Sequence, residues 1–232
     1  MSWRERHFRH RDETVVPFVQ WVNDGGTLEP RSDRGGFAAP VDQGLVIPGT
    51  AADLYHKGGT KTPVIFTPEL EVAVMATRFS WVKDRIRLDT YQEGARGKLQ
   101  ALGLVRTVDG VEVGMLTFTG LVTREFTEAR KRFALDVRRK AEGAPAWAFW
   151  MVLEAGDTAM VGKSAKSAIT TLSVGREVDP DADYIGEDLA DLVERMLDGE
   201  AREWEAAWSG TGADGEGEIG PDDDLGAPDV FP

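Results

Sequence analysis

Between Pro63 and Gly120 the chain is a nearly unbroken succession of strand-forming residues, and this run limits the fold more than any other feature. PVIF, LEVAVMATRFSWVKDRIRL and KLQALGLVRTVDGVEVGMLTFTG are rich in β-branched and aromatic residues and are separated by turn residues. Asp109-Gly110, flanked by two extended runs, predicts a tight hairpin. At Gly120 the period changes. Val122, Phe126, Ala129, Phe133 and Val137 recur at spacings of three and four, an amphipathic helix closed by Gly143 and Pro145. A meander followed by one helix is not the alternation of a doubly wound fold.

The flanks extend this pattern. VVPFVQWVN (Val15 to Asn23) reads as a strand, with Pro17 placing it at an edge or marking its start. Residues 24–62 are rich in Gly, Pro and Asp and read as functional or mobile loop around a short LVIP strand. AWAFWMVLEA is apolar on both alternating faces, which predicts a buried central strand with AITTLSV as its neighbour and puts Trp147, Phe149 and Trp150 in the core. Ile185, Leu189, Leu192, Val193, Met196, Leu197, Trp204 and Trp208 mark a long amphipathic helix interrupted by Gly199. The expected fold class is α+β, mainly antiparallel β: an OB-like partly open barrel with added helices and a disordered acidic C-terminal tail. An α+β sandwich is the alternative. The expected division is a β-rich core over 1–176, an acidic amphipathic helix over 177–208 and a tail over 209–232.

Charge is segregated along the 232 residues. Residues 1–176 hold 25 Lys and Arg against 21 Asp and Glu, a net of +4, whereas residues 177–232 hold 2 against 19, a net of −17. A basic body with an acidic appendage either recruits basic partners through the tail or lets the tail compete with nucleic acid for the body. No apolar run approaches the roughly 20 residues of a membrane span. The basic start MSWRERHFRHRDE has no apolar stretch after it, so the expected location is cytoplasmic, without a membrane partner. Zero Cys removes disulfides, thiolate catalysis and Cys-ligated zinc.

Motifs that invite chemistry fail on inspection. GDTAMVGKSA has Asp157 where the first glycine of a phosphate-binding loop belongs, and a carboxylate there opposes phosphate. DPDADY starts like a calcium loop, but Tyr184 and Ala190 stand at its glycine and glutamate positions. Its acids suit a helix N-terminus instead. His7 and His10 are accompanied by Arg6 and Arg9, which disfavour a metal cation. With three His in all, neither nucleophilic nor metal catalysis has a residue set to work with, so the chain reads as no enzyme and as needing no cofactor or metal.

What remains is cations interleaved with aromatics. Within TRFSWVKDRIRLDTY lie Arg78, Phe79, Trp81, Lys83, Arg85, Arg87 and Tyr91. Read as one strand, Phe79, Trp81, Lys83, Arg85 and Arg87 share a face opposite Ser80, Val82 and Ile86. Such a face suits single-stranded nucleic acid, because rings stack on bases while Lys and Arg follow phosphates. The bland alternative is a core Trp with a solvated cationic rim. Stacking candidates are Trp21, Phe79, Trp81 and Tyr91. Phosphate candidates are Arg78, Lys83, Arg85, Arg87, Arg96 and Lys98, with Arg31 and Arg34 in the irregular loop. Arg124, Lys131 and Arg138, aligned along the helix, carry the least weight.

The chain ends DDDLGAPDVFP. This end resembles the C-terminal tip of bacterial and phage single-stranded DNA-binding proteins, with Asp222, Asp223 and Asp224 matching the aspartate run and Leu225, Phe231 and Pro232 matching loosely. It departs from that tip in the intervening Gly226-Ala227-Pro228-Asp229 and in Phe231 preceding Pro232. The resemblance covers about the last two dozen residues. It implies an OB-fold protein that protects single-stranded DNA in replication, recombination or repair and recruits replication or recombination proteins through the tail, Asp222, Asp223, Asp224 and Phe231 included. A homodimer is compatible with it. The competing reading is an acidic adaptor or DNA-mimic inhibitor that engages a basic protein.

Overall fold

The computed structural model describes residues 16–56, 58–84, 86–88, 90–161 and 167–199. Its eleven strands form one sheet. They are β1 (Phe18–Val22), β2 (Leu28–Glu29), β3 (Gly36–Pro40), β4 (Thr50–Tyr55), β5 (Lys61–Thr67), β6 (Glu69–Lys83), β7 (Ile86–Leu88), β8 (Arg96–Thr107), β9 (Gly110–Thr119), β10 (Met151–Val161) and β11 (Ser167–Val174). The order across the sheet is β11-β10-β6-β8-β9-β1-β3-β5-β4-β2, with β7 paired to the end of β6. All pairings are antiparallel except β1 with β9.

The sheet curls into a half-barrel. Its β11 edge comes round to the far strands: the Thr170 N–H donates to Asn23 O at 3.0 Å, and the Gly35 N–H donates to the Thr170 hydroxyl at 2.7 Å. The curl starts in β6, where Met75 is an extra residue between Val74 and Ala76. Up to Val72 this strand pairs with β10, and beyond it the pairing continues with β8 and, from Trp81 on, also with β7. A bulge of this kind lets one strand serve two parts of a curved sheet.

The largest core fills the concave side. Trp21, Phe37, Leu70, Val72, Leu99, Ala101, Leu116, Phe118, Met151 and Leu153 meet helix α1 (Val122–Lys140) there, through Val122, Phe126, Ala129, Phe133 and Val137. These five are the periodic positions of the sequence, and Phe126 stacks on Phe118 with centroids 4.3 Å apart. On the outer side, Ile185, Val193 and Met196 cover Ala73, Met75, Leu102, Leu104 and Trp150. The last two of these three belong to α3 (Glu187–Asp198). The single turn α2 (Pro180–Asp183) precedes it, and Asp179 caps that turn by accepting from the N–H groups of Asp181 and Ala182. Asp179 of DPDADY therefore does the capping work expected of these acids, while Asp183 accepts from Arg176.

Several elements differ from the sequence expectation. Residues 24–62 contain β2, β3, β4 and the start of β5. GFAAP looks like loop by composition, but its small residues let it lie wholly buried between β1 and β5. The expected LVIP strand is irregular chain, with Leu45 and Ile47 plugged into the core and Val46 O accepting from the Val108 N–H. Pro17 marks a strand start and no edge, since β1 lies between β3 and β9. In AWAFW, residues 146–148 form a 3-10 turn before β10 begins, closed by the Ala148 N–H donating to Pro145 O at 3.0 Å. The hairpin at Asp109-Gly110 is present with Thr107 opposite Gly110. The expected helix through Trp208 is described as far as Gly199, and the expected tail lies outside the described residues. No helix among the described residues is long and apolar enough to cross a membrane.

Candidate nucleic-acid interface

The cation and aromatic cluster sits where β6, β7 and β8 form a three-stranded ribbon at one end of the sheet. Here the single long strand of the sequence reading breaks. Asp84 adopts a φ of 51°, in the left-handed region that Asp tolerates better than most residues, and the chain reverses. Trp81 then pairs with Leu88, Val82 with Arg87 and Lys83 with Ile86. Directly opposed residues share a face. The hairpin therefore moves Arg87 to the face opposite Trp81 and Lys83, which corrects the shared face expected from alternation alone.

The ribbon consequently has two different faces. Toward the α1 side lie Thr77, Phe79 and Trp81, opposite Ala101, Leu99 and Gly97 of β8. Phe79 and Trp81 meet edge to face with centroids 5.1 Å apart, and Trp81 meets Tyr91 at 5.0 Å. Phe79 is 46% and Tyr91 58% exposed, so this ladder of rings presents open faces to solvent. Gly97 creates the seat for Phe79, since a Cβ there would come within 3.0 Å of the ring. The Lys83 ammonium donates to Glu93 O at 2.8 Å, which ties the loop carrying Tyr91 to the hairpin.

The outer face carries the charge. Arg87, Val82 and Arg96 form one row across the three strands, Ser80 and Lys98 the next, and Arg78 and Gln100 the third. Rows on neighbouring strands stand about 5 Å apart. Four cations thus crowd a patch two strand spacings wide, and all four hold interactions of their own. Burial, helped by the charge of Arg87, pushes Arg78 down to about 10. Its Nε donates to Gln100 Oε1 at 2.8 Å. Beside them the Ser80 hydroxyl is buried with no hydrogen-bond partner among the described residues.

Other candidates lie elsewhere. Trp21 is 6% exposed, edge to face with Phe37 in the concave core, and its indole N–H donates to Asn23 Oδ1. It has no face to offer a base, because β1 became an interior strand. Arg34 donates to Ala155 O at 2.7 Å and clips β10 to the chain before β3. It holds the curl, away from the ribbon, while Arg31 is exposed in the same connection. Phe149 and Trp150 are core as expected, Trp150 lying under the Arg106 guanidinium at 4.3 Å. Arg85, Asp222, Asp223, Asp224 and Phe231 lie outside the described residues.

Sequence reasoning did not single out a cleft beside the ribbon, lined by Thr77, Thr127, Arg130, Lys131 and Trp147 over an apolar floor. Of these, Lys131 is one of the three aligned helix cations of the sequence, and Trp147, expected in the core, is instead half-buried in the cleft wall. Among the described residues no group of His, Asp or Glu is placed to hold a metal ion. No family model matches the chain, and neither a curated protein nor a solved structure matches it.

Proposed function

We propose that the protein is a non-catalytic single-stranded DNA-binding protein whose site is the β6-β7-β8 ribbon. The observation that carries the reading is the pairing, on one ribbon, of an exposed ladder of three rings with a patch of four cations on its reverse. Stacking on rings is indifferent to base identity, and cations follow any phosphate backbone, so the combination suits a strand bound without regard to sequence. Because the two sets lie on opposite faces, a bound strand crosses the edge of the ribbon, and different nucleotides use the rings and the cations.

The connectivity supports an elaborated OB-type barrel. β6, β8 and β9 form a meander, α1 follows, and the β10-β11 hairpin returns to pair with the first half of β6. In a barrel of that type oligonucleotides cross the second and third strands beside the loop joining the first to the second. Those correspond here to β8 and β9, with β7 and residues 90–95 in the segment that joins β6 to β8. The segment β1 to β5 is the elaboration. In this reading the acidic end of the chain, Asp222 to Asp224 and Phe231, recruits replication or recombination proteins.

The test is fluorescence anisotropy with labelled oligo-dT, against a duplex of equal length and over a range of salt. Preference for the single strand with a steep salt dependence is expected, and Trp81→Ala should weaken binding by about 1–3 kcal/mol. Equal affinity for duplex, or a folded Trp81→Ala protein that binds as the unsubstituted one does, would overturn the assignment.

A further inference from the structure

The cleft beside the ribbon has a cavity of about 390 Å³, within the range of small-ligand sites. Val74, Leu99, Phe126, Phe133 and Met151 make its floor, and Thr77, Thr127, Arg130, Lys131 and Trp147 are among its other walls. Among the described residues no carboxylate lines it, although the Lys131 ammonium donates to Glu128 Oε1 at 3.1 Å on the exposed side of the helix. The Arg130 guanidinium donates to the Thr77 hydroxyl at 2.8 Å, which fixes a positive charge where β6 and α1 face each other. A flat apolar group with an anion attached matches this lining: the ring enters over the floor beside the half-buried Trp147, and the anion stays at the cations.

Two further features narrow the ligand. On the side away from β8, β6 pairs with β10 only through Val72 and with β7 only from Trp81. Among the described residues its edge from Ala73 to Ser80 therefore lacks a strand partner, and backbone donors and acceptors along it point away from β8. Such groups can meet the polar edge of a heterocycle. The cleft also continues the ring ladder. Trp81, Phe79 and Thr77 occupy one face at steps of about 7 Å, two residues of strand rise, and Thr77 is a wall of the cleft. That step is comparable to the reach of one nucleotide in a stretched strand.

We propose that this cleft takes one base of the bound strand, the nucleotide next to those stacked on Phe79 and Trp81, with Arg130 and Lys131 meeting its phosphate. The proposal rests on the nucleic-acid reading of the ribbon. It gives α1 a direct part in binding and makes Trp147 a contact to the ligand.

Ala134 is half-buried on α1 and lines the cleft, so Ala134→Trp fills it without removing a charge or a floor residue. In the full chain this substitution should weaken oligo-dT binding about ten-fold, the loss of one stacked base, and make its salt dependence shallower as the phosphate at Arg130 and Lys131 is displaced. Independently, an oligonucleotide containing 5-bromodeoxyuridine should photocrosslink the unsubstituted protein within the peptide that contains Trp147. If Trp81→Ala weakens binding but Ala134→Trp does not, and crosslinks appear only over residues 79–91, the cleft assignment fails while the ribbon stands. If the unsubstituted protein does not bind oligo-dT at all, both fail together. Should Ala134→Trp not fold, the position of the crosslink in the unsubstituted protein decides.

Discussion

Gly103 lies where β8 crosses the bulge of β6, and a Cβ built there would come within 2.5 Å of Ala73 O. The obstacle is backbone in the centre of the sheet, so no side-chain rotation can relieve it. Gly103→Ala should therefore destabilise the protein by about 1–3 kcal/mol, the range of overpacked cores. Urea unfolding followed by far-ultraviolet circular dichroism would measure the drop in midpoint, and a midpoint unchanged within error would show that the strands can separate at the bulge. Gly97, six residues earlier, meets no backbone: a Cβ there would stand 3.0 Å from the Phe79 ring and 3.5 Å from the Thr123 hydroxyl, so Ala should cost less than at Gly103 and act by shifting the exposed ring. The sequence holds both glycines in the same kind of strand context. Nothing local distinguishes them, because what each touches is decided by the register of β6, residues 69–83. The same limit applies to Trp21 and Trp81. Each follows a β-branched or aromatic run, yet one is enclosed by β3 and β9 and the other stands at the end of a ribbon.

Elements with a strong local signal were readable, and those defined by their neighbours were not. The 3.6-residue stripe of α1 and the Asp109-Gly110 hairpin are encoded within about twenty residues each. The hairpin at Asp84 lacks a glycine, so alternation ran straight through it and joined cations to rings that the fold sets on opposite faces. β3 is hidden for a different reason: it gains its stability from being buried between two strands distant in sequence. The capped turn α2 combines both kinds of signal. Asp179 and its acidic neighbours are legible as a helix start, whereas the pairing of Arg176 with Asp183 is not. Asp183 is 2% exposed and accepts two hydrogen bonds from Arg176 and one from the Asp179 N–H. Burial opposes ionisation of Asp183, but Arg176 and the Asp179 N–H overcome it and hold the carboxyl below its usual value of 3.8. A depressed carboxyl contributes stability above the unfolded-state value and loses it as pH falls through the folded-state value. Asp183→Asn should thus cost about 2–3 kcal/mol at neutral pH. The difference from the unsubstituted protein should shrink below pH 3.8, in the window between the two values. A cost that stays constant down to pH 2 would mean that the charge of Asp183 contributes nothing.

At the scale of the molecule, if the ribbon binds a strand, the opposed charges of body and tail should set how tightly it is held. Residues 209–232 contain seven acidic and no basic residues, so a chain ending at Trp208 has a net charge of −6 in place of −13. If the ribbon binds phosphates, the removed carboxylates compete with them for the same cations, Arg78, Arg87, Arg96 and Lys98. The shortened chain should then bind oligo-dT several-fold more tightly at low salt. Competition between charges weakens as the screening length falls to about 10 Å at 0.1 M salt and 3 Å at 1 M. The advantage of the shortened chain should therefore diminish as salt is added, and the two affinities should converge. A partner bound through Asp222 to Asp224 and Phe231 would be lost from the shortened chain at every salt concentration, which separates recruitment from competition. An advantage that persists undiminished at high salt would mean that the tail hinders binding by bulk, and one that is absent at low salt would mean that body and tail do not communicate through charge. If shortening instead abolished all activity while the body bound no DNA, the acidic region itself would be the functional surface, as an adaptor or DNA mimic requires.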